Sequence, residues 1–220
     1  MQYHNMRNSY ANQEKWIFEG VGQYDMPVTP AVDLPLQDSK FVRFDFAMRE
    51  KEPENKIVHF FTDDYMFDRV WNKPERYLPV LSRFRAVVAP DFSLYDDYPR
   101  AVQIYNSFRR HWLSAYWSAM GITVIPAPSW VMADRSSYNW CFDGDPRGST
   151  VCISTHGAIK GDARKRQFLE GWNEMLYTLE PKRIYLYGDT FSGLSYDGEL
   201  IHITNEIMAL KRKYCRKKVK

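Results

Sequence analysis

Five short apolar runs in this chain are each followed directly by polar side chains that suit acid–base or binding chemistry. The segments after these runs read "FTDD", "PDFS", "PAPSW", "STHG" and "LYGDT". Asp91 in the second segment and His156 in the fourth are candidate general acid or base groups, because both side-chain types exchange protons with a substrate held within hydrogen-bond reach. The sequence therefore raises the hypothesis of a hydrolase or transferase.

The remaining polar side chains of these segments are candidates for binding and positioning a substrate. They are Asp64, Ser93, Trp130, Ser154, Tyr187 and Asp189. Each also has a purely structural interpretation: Asp or Ser after a strand commonly caps a helix or forms a turn, and Trp130 would serve equally well as a lid over the core. Polar loops at strand ends are common in any case, so the coincidence of five segments is what favours a site.

Four common sequence motifs of cofactor-binding and catalytic sites are absent. GxGxxG, GxxxxGK[ST], HExxH and GxSxG do not occur, and their absence removes support for dinucleotide, Walker-type nucleotide, zincin and α/β-hydrolase sites. Asp63 and Asp64 together with Asp91 offer hard oxygen ligands, so Mg²⁺ is a candidate cofactor. The segment "THGAIKGDARKR" resembles a phosphate-binding loop in composition only, and its basic residues would equally suit an ordinary surface.

These segments require a fold that gathers the ends of several strands. Apolar runs at 56–61, 86–90, 122–126, 149–155, 183–188 and 200–204, with helical periodicity between most of them, predict alternating strands and helices. The pattern favours a single α/β domain of repeated βα units on a mostly parallel sheet, whose strands end at one rim. Since the strands fall short of the eight that close a barrel, an open, Rossmann-like sheet is preferred to an incomplete (β/α) barrel. Residues 41–48 alternate as a further, half-exposed strand.

Three regions are expected along the chain. Residues 1–40 are polar and punctuated by proline, which predicts an extended N-terminal leader that wraps the body. Residues 41–210 would form the α/β domain. Residues 211–220 form a basic C-terminal tail with seven of the chain's 30 Lys and Arg residues and no acid, so the net charge of +3 originates there.

The basic tail has two interpretations. A run of like charge at a terminus is commonly a solvated chain end, and it can also be an arm that contacts nucleic-acid phosphates. The candidate phosphate contacts are Lys211, Arg212, Lys213, Arg216, Lys217 and Lys218.

The three cysteines, Cys141, Cys152 and Cys215, show neither paired spacing nor a CxxC motif. Free thiols in a reducing compartment are therefore expected. The first residues lack the apolar segment of a signal peptide, and no stretch approaches the roughly 20 apolar residues that span a bilayer. These features predict a cytoplasmic protein that is not embedded in a membrane.

Several longer segments resemble one family of uncharacterised bacterial proteins that phages, prophages and plasmids frequently carry. These segments are "VHFFTDDYMFDRVWNKPERY", "PDFSLYDDYPRAVQIYNSFRRHW", "GITVIPAPSW", "WCFDGDPRGSTVCISTHG" and "RIYLYG". The resemblance covers roughly residues 57–188 and leaves out the first 40 residues and the basic tail. It implies a mobile-element setting in a bacterial host cell, and the family, a domain of unknown function, brings no established reaction or catalytic residues.

Two classes of function follow from these observations. The first is an enzyme that acts on nucleic acid or a nucleotide through the strand-end site. The second is a non-catalytic protein that sequesters a host or phage protein, a nucleotide signal or a replication component. Aromatic side chains are favoured anchors at interfaces, and the candidates here are Tyr95, Tyr98, Trp130, Tyr138 and Trp140.

Overall fold

The structure, a computed structural model, describes residues 10–158 and 160–204. The strands are β1 (Gly20–Val21), β2 (Met26–Pro27), β3 (Lys40–Arg43), β4 (Lys56–His59), β5 (Ala86–Val88), β6 (Val124–Ile125), β7 (Thr150–Ser154), β8 (Arg183–Tyr187) and β9 (Glu199–Ile203). The α-helices are α1 (Phe44–Ala47), α2 (Arg69–Asn72), α3 (Leu78–Leu81), α4 (Arg100–Ala119) and α5 (Asp162–Leu179). Short 3-10 turns lie at Tyr10–Asn12, Asp64–Met66, Pro74–Tyr77 and Arg135–Asn139.

The strands from β3 onward pair in parallel. One sheet has the order β3-β4-β5-β6 and a second has the order β7-β8-β9. The amide of Cys152 in β7 donates to the carbonyl of Pro126, just after β6, at 2.9 Å and links the two sheets. The predicted α/β class with an open, mostly parallel sheet is confirmed, and β3 and β9 are the end strands of this arrangement.

The two sheets curve toward each other around a layer of aromatic side chains. The ring of Phe41 in β3 lies 5.8 Å from that of Tyr185 in β8, and His59 in β4 lies 4.4 Å from Tyr187. The opposite faces of β7 and β8 pack against α5 around the fully buried Trp172. The carboxyl ends of these parallel strands therefore gather at one rim, where loops can build a site.

The strand expected at residues 41–48 is shorter than its alternation suggests. β3 ends at Arg43, and the chain turns directly into α1. The turn buries Phe44, whose ring stacks on Phe60 at 4.8 Å, and it lets the Arg43 guanidinium bind the Asp45 carboxylate. Burial of an aromatic ring outweighs the local preference for an extended chain.

Residues 10–40 lie along the body of the protein. β1 and β2 form a small antiparallel pair, and the segment then runs beside β7. There the amides of Val32 and Leu34 donate to the hydroxyls of Ser149 and Thr150, each at 3.0 Å. These bonds fix the segment to the sheet, and the boundaries expected at residues 40 and 210 remain a prediction.

Cys141 and Cys152 are free and buried, and burial raises the pKa of both thiols. Such thiols pack as small apolar side chains. Cys215 lies outside the described residues. Within the described ranges, no helix combines the length and the apolar character that crossing a bilayer requires. A cytoplasmic location remains a prediction.

Candidate functional site

A cavity of about 170 Å³ opens at the carboxyl ends of β5, β6 and β7, and we call it the rim cavity. It is lined by Phe61, Asp91, Ser93, Leu94, Tyr95, Pro128, Ser129, Trp130, Met132, Ile153, Ser154, His156 and Phe168. The lining combines aromatic and aliphatic groups with a carboxylate, hydroxyls and an imidazole. Since a cavity of about 150 Å³ accommodates benzene, the enclosed part has room for one ring-sized group.

Five of the residues predicted from strand ends meet in the rim cavity. They are Asp91, Ser93, Trp130, Ser154 and His156. Parallel strands bring them together because each comes from a loop at the same end of a neighbouring strand. Their roles in binding or catalysis remain predictions.

Asp91 lies three residues after the end of β5 and is partly buried. Burial raises the pKa of its carboxyl from 3.8 to about 7, the nearby charge of Arg110 lowers it, and the charge of Asp64 raises it. Among the described residues, none donates a hydrogen bond to this carboxylate. A carboxyl that titrates near neutral pH can both accept and release a proton, as a general acid or base must.

Asp64 lies one layer behind the cavity. Its carboxylate accepts hydrogen bonds from the Ser93 hydroxyl at 2.8 Å and from the Ser93 amide at 3.1 Å. The carbonyl of Ser93 in turn accepts a bond from the Asn106 side chain at 2.7 Å. Asp64 therefore holds the loop that carries Ser93, and its predicted contact with a substrate remains a prediction.

Arg110 is a buried cation in α4 that supports the wall of the rim cavity. It was not among the residues predicted from the sequence. Its guanidinium donates to the Ser129 hydroxyl at 2.5 Å, to the carbonyl of Ala127 at 3.0 Å and to the carboxylate of Asp145 at 3.1 Å. It also lies 2.8 Å from the ring nitrogen of His111. Burial raises the pKa of Asp145 to about 6, and Arg110 opposes that shift.

The loop after β7 brings Ser154 and His156 to the cavity. The amide of His156 donates to the Ser154 hydroxyl at 3.1 Å, which fixes the turn, and the His156 residue itself is exposed. Trp130 forms the apolar wall with its ring 4.9 Å from Phe168. It is only 6% exposed, so it is part of the core as well as the wall and is not a freely presented stacking platform.

Tyr187 and Asp189 do not line the rim cavity. Tyr187 stacks on Phe61 at 5.2 Å and faces a different cavity. The backbone carbonyl of Asp189 accepts a hydrogen bond from the Thr155 hydroxyl at 2.8 Å. Their proposed contact with a substrate bound at Asp91 has no support in this geometry.

The expected magnesium ligands do not assemble. Asp63 is exposed and Asp64 is engaged by Ser93, and within residues 10–158 and 160–204 no group of three His, Cys, Asp or Glu residues could hold a metal ion. The candidate phosphate contacts of the basic tail, residues 211–220, lie outside the described residues.

The aromatic surface suggested for a binding protein is only partly a surface. Tyr95 and Tyr98 are 52% and 38% exposed and contact each other, and Tyr95 lines the rim cavity. Trp130 and Trp140 are buried in the core, and Tyr138 is partly buried. Core packing explains why these two tryptophans cannot act as interface anchors.

The raised pKa of Asp91 predicts a pH-dependent effect on stability. Between about pH 4 and pH 7 the folded protein keeps a proton on Asp91 that the unfolded chain has released, so this carboxyl makes folding less favourable as pH rises. Asp91→Asn removes that effect. The variant's melting temperature, measured by calorimetry, should exceed that of wild type by a few degrees at pH 8 and by much less at pH 4. A difference that is constant with pH would contradict the assigned pKa.

Comparison with known proteins places the chain in a family. A family model described as "Domain of unknown function (DUF4417)" matches residues 18–205. The match extends beyond the expected 57–188 at both ends and includes more than half of the segment expected to be a leader. No solved structure matches the chain.

Two curated relatives are phage proteins. The chain is 41% identical over 131 residues to "Gene 1 protein" of Mycobacterium phage D29, and this region covers 60% of the chain and 48% of that protein. It is 40% identical over 131 residues to "Gene 1 protein" of Mycobacterium phage L5, covering 60% of the chain and 56% of that protein. The chain thus spans about half the length of the curated relatives it matches. Its match across residues 18–205 shows that the chain belongs to the phage-associated family of unknown function DUF4417.

Proposed function

We propose that this protein is a hydrolase or transferase that acts on a nucleotide or a nucleic-acid strand in the rim cavity, with Asp91 as the general acid or base. The observation that supports this most strongly is the position of Asp91. Its carboxyl has a pKa of about 7 and faces a cavity shared with three serines, a tyrosine and an imidazole. Functional carboxyls are typically tuned toward the working pH by this kind of partial burial.

The surrounding groups fit distinct roles in such a reaction. The Ser129 hydroxyl accepts from Arg110, so its own proton is free to donate to a substrate oxygen. The Ser93 hydroxyl donates to Asp64, so it is positioned to accept a hydrogen bond from the substrate. His156 is exposed at the mouth and supplies a second proton-transfer group. The apolar residues that line the cavity, including Trp130 and Phe168, would contact a base or sugar.

A basic segment beside the cavity supports a phosphorylated substrate. His156 and Phe168, which flank this segment in the sequence, both line the cavity. The segment carries Lys160, Arg164, Lys165 and Arg166, of which Arg164 pairs with Asp96 and Lys165 with Asp162. Cations and the amino end of a long helix both favour phosphate.

A binding protein without catalytic activity is the alternative. It is favoured by one observation: Tyr95, which lines the rim cavity, and Tyr98 are exposed and contact each other. Exposed tyrosines supply contact area to a protein partner at low entropic cost.

A substrate survey separates the two proposals. The purified protein would be incubated with single- and double-stranded DNA, RNA and the common nucleoside triphosphates, with Mg²⁺ and with EDTA, and products would be resolved by chromatography. We expect turnover of at least one phosphorylated substrate, blocked by adding excess product. Stoichiometric capture of a protein partner with no turnover of any substrate would instead support the binding protein and reject the enzyme.

A further inference from the structure

A second, larger cavity of about 550 Å³ lies between β3 and β9, and we call it the seam cavity. It is bounded by the two end strands of the sheets, where a closed barrel would have continuous pairing. Tyr187, on its wall, stacks on Phe61, which lines the rim cavity, so this aromatic pair separates the two spaces. The volume of the seam cavity is within the range of small-molecule sites.

His59 places a hydrogen-bond donor at the wall of the seam cavity. It is 3% exposed, and its Nδ1 accepts the amide of Phe61 at 3.3 Å. Burial and the charge of Arg43 lower the pKa of this imidazole to about 3, so the ring is neutral. A neutral ring that accepts at Nδ1 carries its proton on Nε2.

The Nε2–H group of His59 has no acceptor among the described residues. His59 lines the seam cavity, so this donor is available to an acceptor atom, such as an anionic or carbonyl oxygen, of a molecule bound there.

The charged residues around the seam cavity leave a positive surplus. Arg43 is paired with Asp45, and Glu50 is paired with Lys56 at 2.6 Å. Lys40 and Arg49 line the cavity, are exposed, and have no acidic partner within the described part of the chain. The unpaired positive charge of Lys40 and Arg49 favours the binding of an anion in this cavity.

Apolar surface accompanies these cations. Phe46 lines the cavity and is 49% exposed, with the guanidinium of Arg43 over its ring at 4.9 Å. A half-exposed phenyl ring beside two cations suits a ligand with both an anionic group and a flat or apolar part.

We propose that the seam cavity is a second binding site, for a small phosphate-bearing molecule of about nucleotide size, whose oxygen accepts the Nε2–H of His59 and whose charge faces Lys40 and Arg49. This site is distinct from the one proposed for the reaction at Asp91, because the two cavities lie on opposite sides of the Phe61–Tyr187 pair. Either site can be disabled without changing residues of the other.

Calorimetric titration with inorganic pyrophosphate and with ATP tests the site. We expect binding to the wild-type protein, and at least about tenfold weaker binding to Lys40→Gln/Arg49→Gln, because charge-assisted contacts from two cations are lost. Lys51→Gln/Arg76→Gln is the matched control, since both residues are exposed and neither lines the cavity. Its affinity should stay within about twofold of wild type.

A second readout follows the imidazole itself. In ¹⁵N-histidine NMR spectra the His59 ring should show the Nε2–H tautomer, and its signals should shift when pyrophosphate is added. Absence of binding at about 5 mM of either probe, equal loss of affinity in the control, or binding that leaves the His59 signals unchanged would each overturn the proposal. Retained pyrophosphate binding in Asp91→Asn would show that the seam cavity is independent of the reaction proposed at the rim.

Discussion

Asp91→Asn is expected to lower substrate turnover by about 10²- to 10⁴-fold, because a positioned proton-transfer group contributes acceleration of this size. Asparagine keeps the shape of the side chain and cannot exchange a proton, so the loss should appear in kcat more than in KM. The folded structure should survive, since the substitution removes a carboxyl that burial disfavours. Steady-state kinetics on the substrate found in the survey gives the measurement.

Asp97→Asn serves as the control for this loss. Asp97 lies in the same loop as Ser93, is exposed, and does not line the rim cavity. Its turnover should stay within about twofold of wild type, as expected for a surface change away from the site. Turnover in Asp91→Asn that matches the Asp97→Asn control would remove Asp91 from the mechanism.

Arg110→Met is expected to lower the free energy of unfolding by about 3–5 kcal/mol, the cost typical of breaking a buried ion pair by removing one partner. Arg110 and Asp145 have side chains that are 2% and 1% exposed, so the carboxylate left behind would have neither water nor a counter-charge. The same change frees the Ser129 hydroxyl from its donor and should also impair binding in the rim cavity. Urea unfolding followed by circular dichroism measures the stability.

Arg135→Met provides a matched surface comparison. Arg135 pairs with Glu170, but its side chain is 74% exposed, so the loss should be within about 0–1 kcal/mol. The double variant Arg110→Met/Asp145→Asn should regain part of the stability lost in Arg110→Met, because the uncompensated charge is gone. If the loss in Arg110→Met were no larger than in Arg135→Met, the buried network would not have the structural role assigned to it.

The alternation of strands and helices was sufficient to predict five of the thirteen residues that line the rim cavity. Asp91, Ser93, Trp130, Ser154 and His156 converge because parallel strands end at one rim, and that rule depends only on where each apolar run stops. Tyr187 and Asp189 also lie at the carboxyl end of a parallel strand, yet they do not line the rim cavity. Their positions depend on how strongly the sheets curve, and local periodicity does not encode that curvature.

The buried polar side of α4 was not predictable from periodicity. Apolar residues recur at 101, 104, 105, 108, 112, 115, 116 and 119, a pattern typical of a helix whose other side faces water. The structure instead buries Gln103, Asn106, Ser107, Arg110 and His111. Asn106 and Arg110 bond to the loops that form the rim cavity, so the helix uses its polar side to support the site. A charged residue paired across 35 positions, as Arg110 is with Asp145, leaves no local signal in the sequence.

The seam cavity was also missed, since it arises between β3 and β9, strands that are far apart in the chain. His59 belongs to an apolar run and appears in the sequence as one more strand residue. Only the assembled sheets show that its ring is buried beside a cavity with Lys40 and Arg49. The basic tail remains a separate prediction, outside the described residues.

The proposed role of Asp91 in proton transfer at the rim cavity is tested by a titration of the aspartate carboxyl groups. The ¹³C signals of labelled Asp side chains would be followed by NMR from pH 3 to pH 9, and the Asp91 signal identified by its absence in Asp91→Asn. The predicted result is a midpoint near 7, well above the ordinary value of 3.8. An Asp91 signal that titrates near 4 would contradict the proposed proton-transfer role, because the carboxyl would then be an ordinary ionised side chain at neutral pH.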